Sequence, residues 1–325
     1  MDLSIVKCHG SSNDFVLIDE MDGEIFAEEQ RPALAQLLCD RRGAVGADGV
    51  LFVQKTVRAD ARMRMFNADG SEAQTCGNGL RCVARFATER LGRNAVSIET
   101  MRGISEAAAE SEIAPGVKTY SVELGPFSIK AMDLPLIVDT ETLINAKLAP
   151  LSESLLFTAV SAPNPHLIAM VERIDMAELE RLGKRASNLP SVLPERANVS
   201  FCRILDGKGL AVATFERGSG LTQSCGSAMG ASVLAACIAG DLPFGSWLPV
   251  FNRGGYIEAC ATHQQDSYRV VTKGNATVVF TATLQVDLEK MSLGSAFECV
   301  THEDEIAAYG KVHETGQEAM SQEIR

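Results

Sequence analysis

A chain of 325 residues, 46% apolar and 22% charged, exceeds what one hydrophobic core usually organises and reads as two globular domains of ordinary size. Its net charge of −12, with no Lys/Arg cluster, excludes a nucleic-acid or anionic-membrane surface, because both need clustered cations to meet phosphate. Nine cysteines, odd in number and widely spaced, form neither a dense disulfide framework nor a paired Cys-x-x-Cys site, so no metal is expected. The N-terminus, Met1-Asp2-Leu3-Ser4-Ile5-Val6-Lys7, lacks the order of a secretory signal, and the longest apolar window, 229–239, is too short to cross a bilayer. A cytoplasmic location is expected.

Residues 5–19 read as strand, Gly/Ser/Asn turn, strand, which places Asn13 at the turn. At 26–39, Phe26, Ala33, Leu34, Leu37 and Leu38 recur at helical spacing, with Pro32 near the start. The Gly-rich stretch 41–49 leads into an apolar strand at 50–53 and lacks the strand-to-helix setting of a dinucleotide loop. Arg62-Met63-Arg64-Met65-Phe66 alternates as a strand with one buried face. It runs into Asn67-Ala68-Asp69-Gly70-Ser71-Glu72-Ala73-Gln74-Thr75-Cys76-Gly77-Asn78-Gly79. Leu80, Val83, Ala84, Ala87 and Leu91 then repeat at helical spacing as far as Gly92, so Cys76 stands at a helix start. Strands are expected at 96–100 and 120–124, with the Glu/Ala-rich 104–116 between them as a surface loop or short helix.

Residues 155–171 again read as strand, turn, strand, and the turn Ala162-Pro163-Asn164 gives Asn164 the place that Asn13 holds earlier. A helix at 176–186 and strands at 197–205 and 210–215 follow. Next comes Glu216-Arg217-Gly218-Ser219-Gly220-Leu221-Thr222-Gln223-Ser224-Cys225-Gly226-Ser227, then an apolar helix face of Met229, Val233, Ala236 and Cys237 ending at Gly240. With the two cysteines superposed, an offset of 149 between positions 76 and 225, Phe66 falls on Phe215, Gln74 on Gln223, Gly77 on Gly226 and Ala87 on Ala236. Asn13 and Asn164 are offset by 151, and this near-constant spacing marks an internal duplication. A last core strand is expected at 274–280 and a helical or mobile acidic tail after 286. The domains are therefore set at 1–130, 131–272, a returning strand segment at 273–290, and the tail at 291–325.

A helix start offers unpaired N–H groups and the positive end of the dipole, both of which favour an anion. A lowered thiol pKa is expected at Cys76 and at Cys225, with a carboxylate held by the N–H groups of Gly77, Asn78, Gly226 and Ser227. Two such thiols could remove a proton from one face of a carbon acid and return one to the other. They could also close a disulfide in a redox or binding protein, although the lack of Cys-x-x-Cys and the presence of Glu216, Arg217 and several asparagines weigh against that. Cys8, Cys39, Cys82, Cys202, Cys237, Cys260 and Cys299 are expected as small buried hydrophobes.

The segments His9-Gly10-Ser11-Ser12-Asn13-Asp14-Phe15, Asn67-Ala68-Asp69-Gly70-Ser71 through Cys76-Gly77-Asn78-Gly79-Leu80-Arg81, Asn164-Pro165-His166, Asn198-Val199, and Glu216-Arg217-Gly218-Ser219-Gly220 through Cys225-Gly226-Ser227 occur in this order. Together they resemble the diaminopimelate epimerases, over roughly residues 3–285. The resemblance implies an α/β fold of two pseudo-symmetric domains, each a curved, mainly antiparallel sheet around a central helix, with the active site in the interdomain cleft. It implies cofactor-independent inversion of an amino-acid stereocentre, LL- to meso-diaminopimelate, with Cys76 and Cys225 as acid and base. Asn13, Asn67, Asn164, Asn198, Glu216 and Arg217 would contact the substrate, and His166 and Glu216 would influence which thiol ionises. The sequence departs from many relatives at Gly49, where several carry an amide, at Ser227-Ala228, and in its length at 104–116 and the C-terminus. These differences leave open another amino acid, such as histidine or hydroxyproline, and a homodimer is left open as well.

Overall fold

The structure is a computed structural model that describes residues 1–162, 164–205, 209–265, 267–287, 289–294 and 298–324. Pro163 of the second turn lies outside them, as do 295–297 and 325 of the tail. The chain divides into two compact units, Met1–Val122 with Lys273–Lys311, and Glu123–Thr272 with Val312–Arg325.

The elements run β1 (Asp2–Gly10), β2 (Asn13–Glu20), α1 (Arg31–Cys39), β3 (Gly49–Gln54), β4 (Ala61–Asn67), β5 (Glu72–Ala73), α2 (Gly77–Leu91), β6 (Ala95–Thr100), β7 (Gly103–Glu110) and β8 (Thr119–Phe127). There follow β9 (Ala146–Leu148), β10 (Ser152–Ala162), β11 (Asn164–Met170), α3 (Met176–Ser187), β12 (Asn198–Leu205), β13 (Gly209–Glu216), β14 (Gly220–Leu221), α4 (Gly226–Ala239), β15 (Leu248–Asn252) and β16 (Gly255–Gln264). The chain ends with β17 (Ser267–Asn275), β18 (Thr277–Asp287), β19 (Ser292–Leu293), β20 (Glu298–Thr301) and α5 (Glu303–Glu323).

In the first unit the strands pair in the order β20-β18-β1-β2-β3-β4-β6-β7-β8, antiparallel except for the parallel pairs β2–β3 and β4–β6. In the second the order is β9-β10-β11-β12-β13-β15-β16, antiparallel except for β11–β12 and β13–β15. Hairpin, parallel neighbour, hairpin, parallel neighbour recurs in both, so the duplication read from the cysteine offset extends to strand polarity.

Each unit wraps its strands around one helix. The strands β1, β2, β3, β4, β6 and β7 all contact α2, and their counterparts β10, β11, β12, β13, β15 and β16 all contact α4. Helix α4 is buried on every side from Ala228 to Cys237, as suits a helix that is apolar all round. Helix α2 is buried to a similar depth but carries Arg81 and Arg85 among its buried residues. Both helices stop at a glycine in the left-handed region, Gly92 at φ 64° and Gly240 at φ 84°, which caps the last turn without a Cβ clash. One core lies between α1 and the outer face of the first unit's strands, through Phe26, Leu34, Phe52 and Phe66, and another around α3, through Leu179, Leu182, Phe201 and Phe215.

Three expectations are corrected. The Glu/Ala-rich stretch at 104–116 is neither loop nor helix over its first part but strand β7, because pairing with β6 and β8 outweighs the helix propensity of Ala and Glu. The single strand at 274–280 is two, broken at Ala276, whose N–H turns aside to the Lys118 carbonyl at 3.0 Å. Cys299 is exposed rather than buried, because β20 is an edge strand whose four residues all face solvent; the other six structural cysteines are buried. No helix among the described residues is long and apolar enough to cross a membrane.

Candidate active site

The first unit brings together Asn13, Cys76, Gly77 and Asn78. Cys76 is the N-cap of α2, with extended backbone at φ −152°, and its carbonyl accepts the first helical bond, from Leu80 N–H at 2.8 Å. The N–H groups of Gly77 and Asn78 precede that bond and have no acceptor within the helix. The half-exposed Cys76 sulfur lies 3.8 Å from Asn13 Oδ1, which also accepts from Asn78 Nδ2 at 3.3 Å. Asn13 Nδ2 in turn donates to Asp48 Oδ2 at 2.8 Å. Asn67 is tied back to its own turn instead, its Nδ2 donating to Ser71 Oγ at 2.9 Å.

Cations surround this group. Arg41 forks onto Asp14 at 2.8 and 2.6 Å and reaches Asp48 at 2.8 Å, while Lys7 donates to Asp14 at 2.5 Å. Burial pushes the Asp14 carboxyl up, but the hydrogen bonds from Arg41 and Lys7, with their charges, outweigh it and hold it at about 2. At Gly49 an added Cβ would lie 2.8 Å from the Phe66 carbonyl oxygen, so the backbone here leaves no room for a side chain.

The second unit gathers more. Cys225 is the N-cap of α4, and its carbonyl accepts from Met229 N–H at 3.0 Å. Its sulfur lies 3.4 Å from Ser227 Oγ, which is 3.2 Å from His166 Nε2. The thiol also hydrogen-bonds Glu216, whose Oε1 accepts from Thr222 Oγ1 at 2.6 Å. Next to this row, Arg217 donates from its guanidinium to Asn164 Oδ1 at 3.3 Å and from its backbone N–H to Asn198 Oδ1 at 2.9 Å. Strand register explains the grouping: β11 and β12 run parallel with His166 opposite Asn198, and β13 ends at Glu216 beside them.

The expectation of a lowered thiol pKa fails at Cys225. Burial pushes that thiol well above its usual range and the Glu216 carboxylate pushes it further, while the hydrogen bonds from Ser227 and from the Ala228 N–H only partly oppose them. The helix start is present, but a cysteine 8% exposed has lost more solvation than a few aligned dipoles return. Glu216 is raised for the same reason, burial, with the bonds from Thr222 and Cys225 opposing it.

His166 is fully buried; burial, then the charge of Arg217, holds its imidazole at about 3, so the ring is neutral. Its Nδ1 has no partner among the described residues. Placing the ring hydrogen on Nε2 leaves Nδ1 as an unpaired acceptor, which costs less than an unpaired donor. His166 then donates to Ser227, Ser227 to Cys225, and Cys225 to Glu216, a row of donors that ends on a carboxylate.

A sequence profile of the diaminopimelate epimerase family matches residues 5–128 and 158–279, which carry every residue named above. The chain belongs to the diaminopimelate epimerase family. It is 43% identical to the diaminopimelate epimerase of Clostridium acetobutylicum over 293 residues, 90% of this chain and 88% of that one. With the diaminopimelate epimerase of Enterococcus faecalis it shares 39% over 309 residues, 93% and 94% of the two chains. Solved structures of like fold include a methylitaconate delta-isomerase (TM-score 0.66, 13% identity, 92% of this chain and 98% of that one). Another is a hydroxyproline epimerase from Agrobacterium vitis (TM-score 0.62, 14% identity, 88% and 92%). At these identities the likeness is one of fold.

Within this diaminopimelate epimerase family member, sequence reasoning passed over Asp48, Arg41 and Arg81. Arg41 and Asp48 sat in a stretch read only as a Gly-rich turn, although two cations and an acid beside three glycines were a visible signal. Arg81 stands within the cysteine motif, but no local pattern gives it a role. Among the described residues no group of three or more His, Cys, Asp and Glu side chains is placed to hold a metal ion.

Proposed function

We propose that this chain interconverts LL- and meso-diaminopimelate, on the route to lysine and peptidoglycan precursors, by a two-base reaction at the α-carbon that uses Cys76 and Cys225 and no cofactor. Family membership supports the substrate. The observation that carries the chemistry is that each unit holds one cysteine at the first turn of its central helix.

The thiolate of one cysteine takes the α-hydrogen as a proton, and the C–H electron pair moves into the adjacent carboxylate. The S–H of the other cysteine then returns a proton to the opposite face, so each turnover exchanges the roles of the two sulfurs. The chemistry asks both thiols to serve one carbon. Because that carbon acid is weak, the charge gathering on the carboxylate needs preorganised donors, and the N–H groups of Gly77, Asn78, Gly226 and Ser227 are assigned to it. The Arg217 guanidinium suits the carboxylate at the other end of the substrate, and the amide oxygens of Asn164 and Asn198 suit its ammonium. Asn13 and Asn67 are assigned to substrate contacts from the first unit, Asn13 on the side of Cys76. Glu216, engaged with Thr222 and Cys225 in the free chain, is assigned to receive the Cys225 proton, with neutral His166 orienting Ser227 behind it. Such chemistry needs reduced thiols, which suits a cytoplasmic setting.

Incubation of the reduced protein with LL-diaminopimelate in deuterium oxide is expected to give the meso isomer with deuterium at one α-carbon. Cys76→Ala and Cys225→Ala should each lower the rate by about 10³-fold or more. Exchange confined to histidine or hydroxyproline would reassign the substrate, and no exchange with any amino acid would return the thiols to a redox or binding role.

A further inference from the structure

Arg81 is fully buried, and among the described residues no carboxylate accepts a hydrogen bond from it. Its Nε donates to the Asn275 carbonyl at 3.0 Å, and its Nη2 donates to Ser11 Oγ at 2.9 Å and to Asn78 Oδ1 at 2.9 Å. Its Nη1 has no partner among the described residues. A cation held so deep on neutral acceptors is costly to desolvate and is not repaid by an ion pair. The first unit is nonetheless built to keep it: an added Cβ at Gly10 would lie 2.9 Å from Nη2 and 2.8 Å from the Asn78 carbonyl.

The orientation of an asparagine amide is ambiguous when its neighbours can both donate and accept. Here both ends of the chain are unambiguous, because a guanidinium only donates and a carboxylate only accepts. From Arg81 the bonds run to Asn78 Oδ1, from Asn78 Nδ2 to Asn13 Oδ1 at 3.3 Å, and from Asn13 Nδ2 to Asp48 Oδ2 at 2.8 Å. Every donor along this path points the same way. The amide atom turned to the Cys76 sulfur, 3.8 Å away, is therefore the Asn13 oxygen, an acceptor for S–H.

We infer that Arg81 is a positioning residue for Cys76: through Asn78 it sets the amide of Asn13 so that a carbonyl oxygen, and not an NH2 group, meets the sulfur. Arg81 and Asn78 are three residues apart near the start of α2, so the anchor moves with the helix that carries Cys76. A lysine there keeps the charge but cannot serve Asn275, Ser11 and Asn78 together from one planar fork.

The kinetic part of the test rests on the epimerase reading. Arg81→Lys is expected to lower kcat by about 10- to 100-fold with KM within about two-fold, the pattern of a misplaced catalytic group. In an Asn78→Ala background the same change should add less than about two-fold, because the route through Asn78 is already cut. Full multiplication of the two losses, or an unchanged kcat in folded Arg81→Lys, overturns the inference. Should Arg81→Lys fail to fold, Asn78→Asp, equal in size, puts an acceptor against Asn13 Oδ1 and must lose kcat similarly; an unchanged kcat there overturns it too. Iodoacetamide labelling of Cys76, followed by mass spectrometry without substrate, should change by about five-fold or more in Arg81→Lys while exposed Cys299 labels as before. An unchanged Cys76 labelling rate overturns the inference. A wild-type chain inert towards diaminopimelate would remove the epimerase reading and leave this labelling result to decide the role of Arg81.

Discussion

Cys76 and Cys225 begin equivalent helices in units of matching strand order, yet their surroundings differ in almost every polar respect. Cys76 is half-exposed and meets an amide oxygen; Cys225 is 8% exposed and meets a carboxylate. The first helix buries two arginines, whereas the second is small and apolar along its length. What is duplicated is the backbone platform that presents a sulfur and two N–H groups. What has diverged is the side chains that decide how each sulfur holds its proton.

The largest test of that contrast removes the carboxylate from one side only. Glu216→Gln keeps the shape and should lower turnover by about 10²-fold, since it takes away the acceptor of the Cys225 proton. It should also speed alkylation of Cys225, because the charge that helps raise its pKa is gone, and leave alkylation of Cys76 unchanged. Equal changes at both thiols would show that the two sites are not distinguished in this way.

Acid stability should separate the units by pH. His166 and Asp14 both have folded pKa values below their ordinary ones, about 3 against 6.5 and about 2 against 3.8. On acidification the unfolded chain therefore takes up each proton first, and stability present above the ordinary value is lost as the pH falls. For His166 the loss runs from 6.5 towards 3 and for Asp14 from 3.8 towards 2. Between pH 7 and 5 the stability measured by urea unfolding should drop by about 2 kcal/mol in the wild type, and by much less in His166→Gln.

The smallest expected effects are those of single ion pairs. Arg85 on α2 forks onto Glu305 of α5 at 2.5 and 2.8 Å, and Glu305 also accepts from Val278 N–H at 3.1 Å. Glu305→Gln should cost about 1–3 kcal/mol by leaving a buried guanidinium short of its counter-charge. Glu178→Gln on the surface of α3, whose partner Arg181 is largely exposed, should cost no more than about 0.5 kcal/mol. Thermal midpoints of the two variants would rank them, and the reverse order would deny α5 its part in neutralising the first unit's central helix.

The sequence by itself determined the duplicated frame: two strand–turn–helix blocks, a cysteine at each helix start, and Asn13 and Asn164 at matching turns. Those features rest on local periodicity and on glycines that stop helices, so short windows reveal them. It also showed that Asn67 and Glu216 precede the two cysteines with different chemistry, but from the two helix starts alone it led to a lowered thiol pKa at both. Only the tertiary structure decided how each proton is held. Arg81 reaches a carbonyl 194 residues away and Arg85 a carboxylate 220 residues away, contacts that no local pattern encodes. The raised Cys225 thiol likewise follows from burial, which depends on what the whole unit packs around a helix start and can outweigh the dipole that the sequence makes visible.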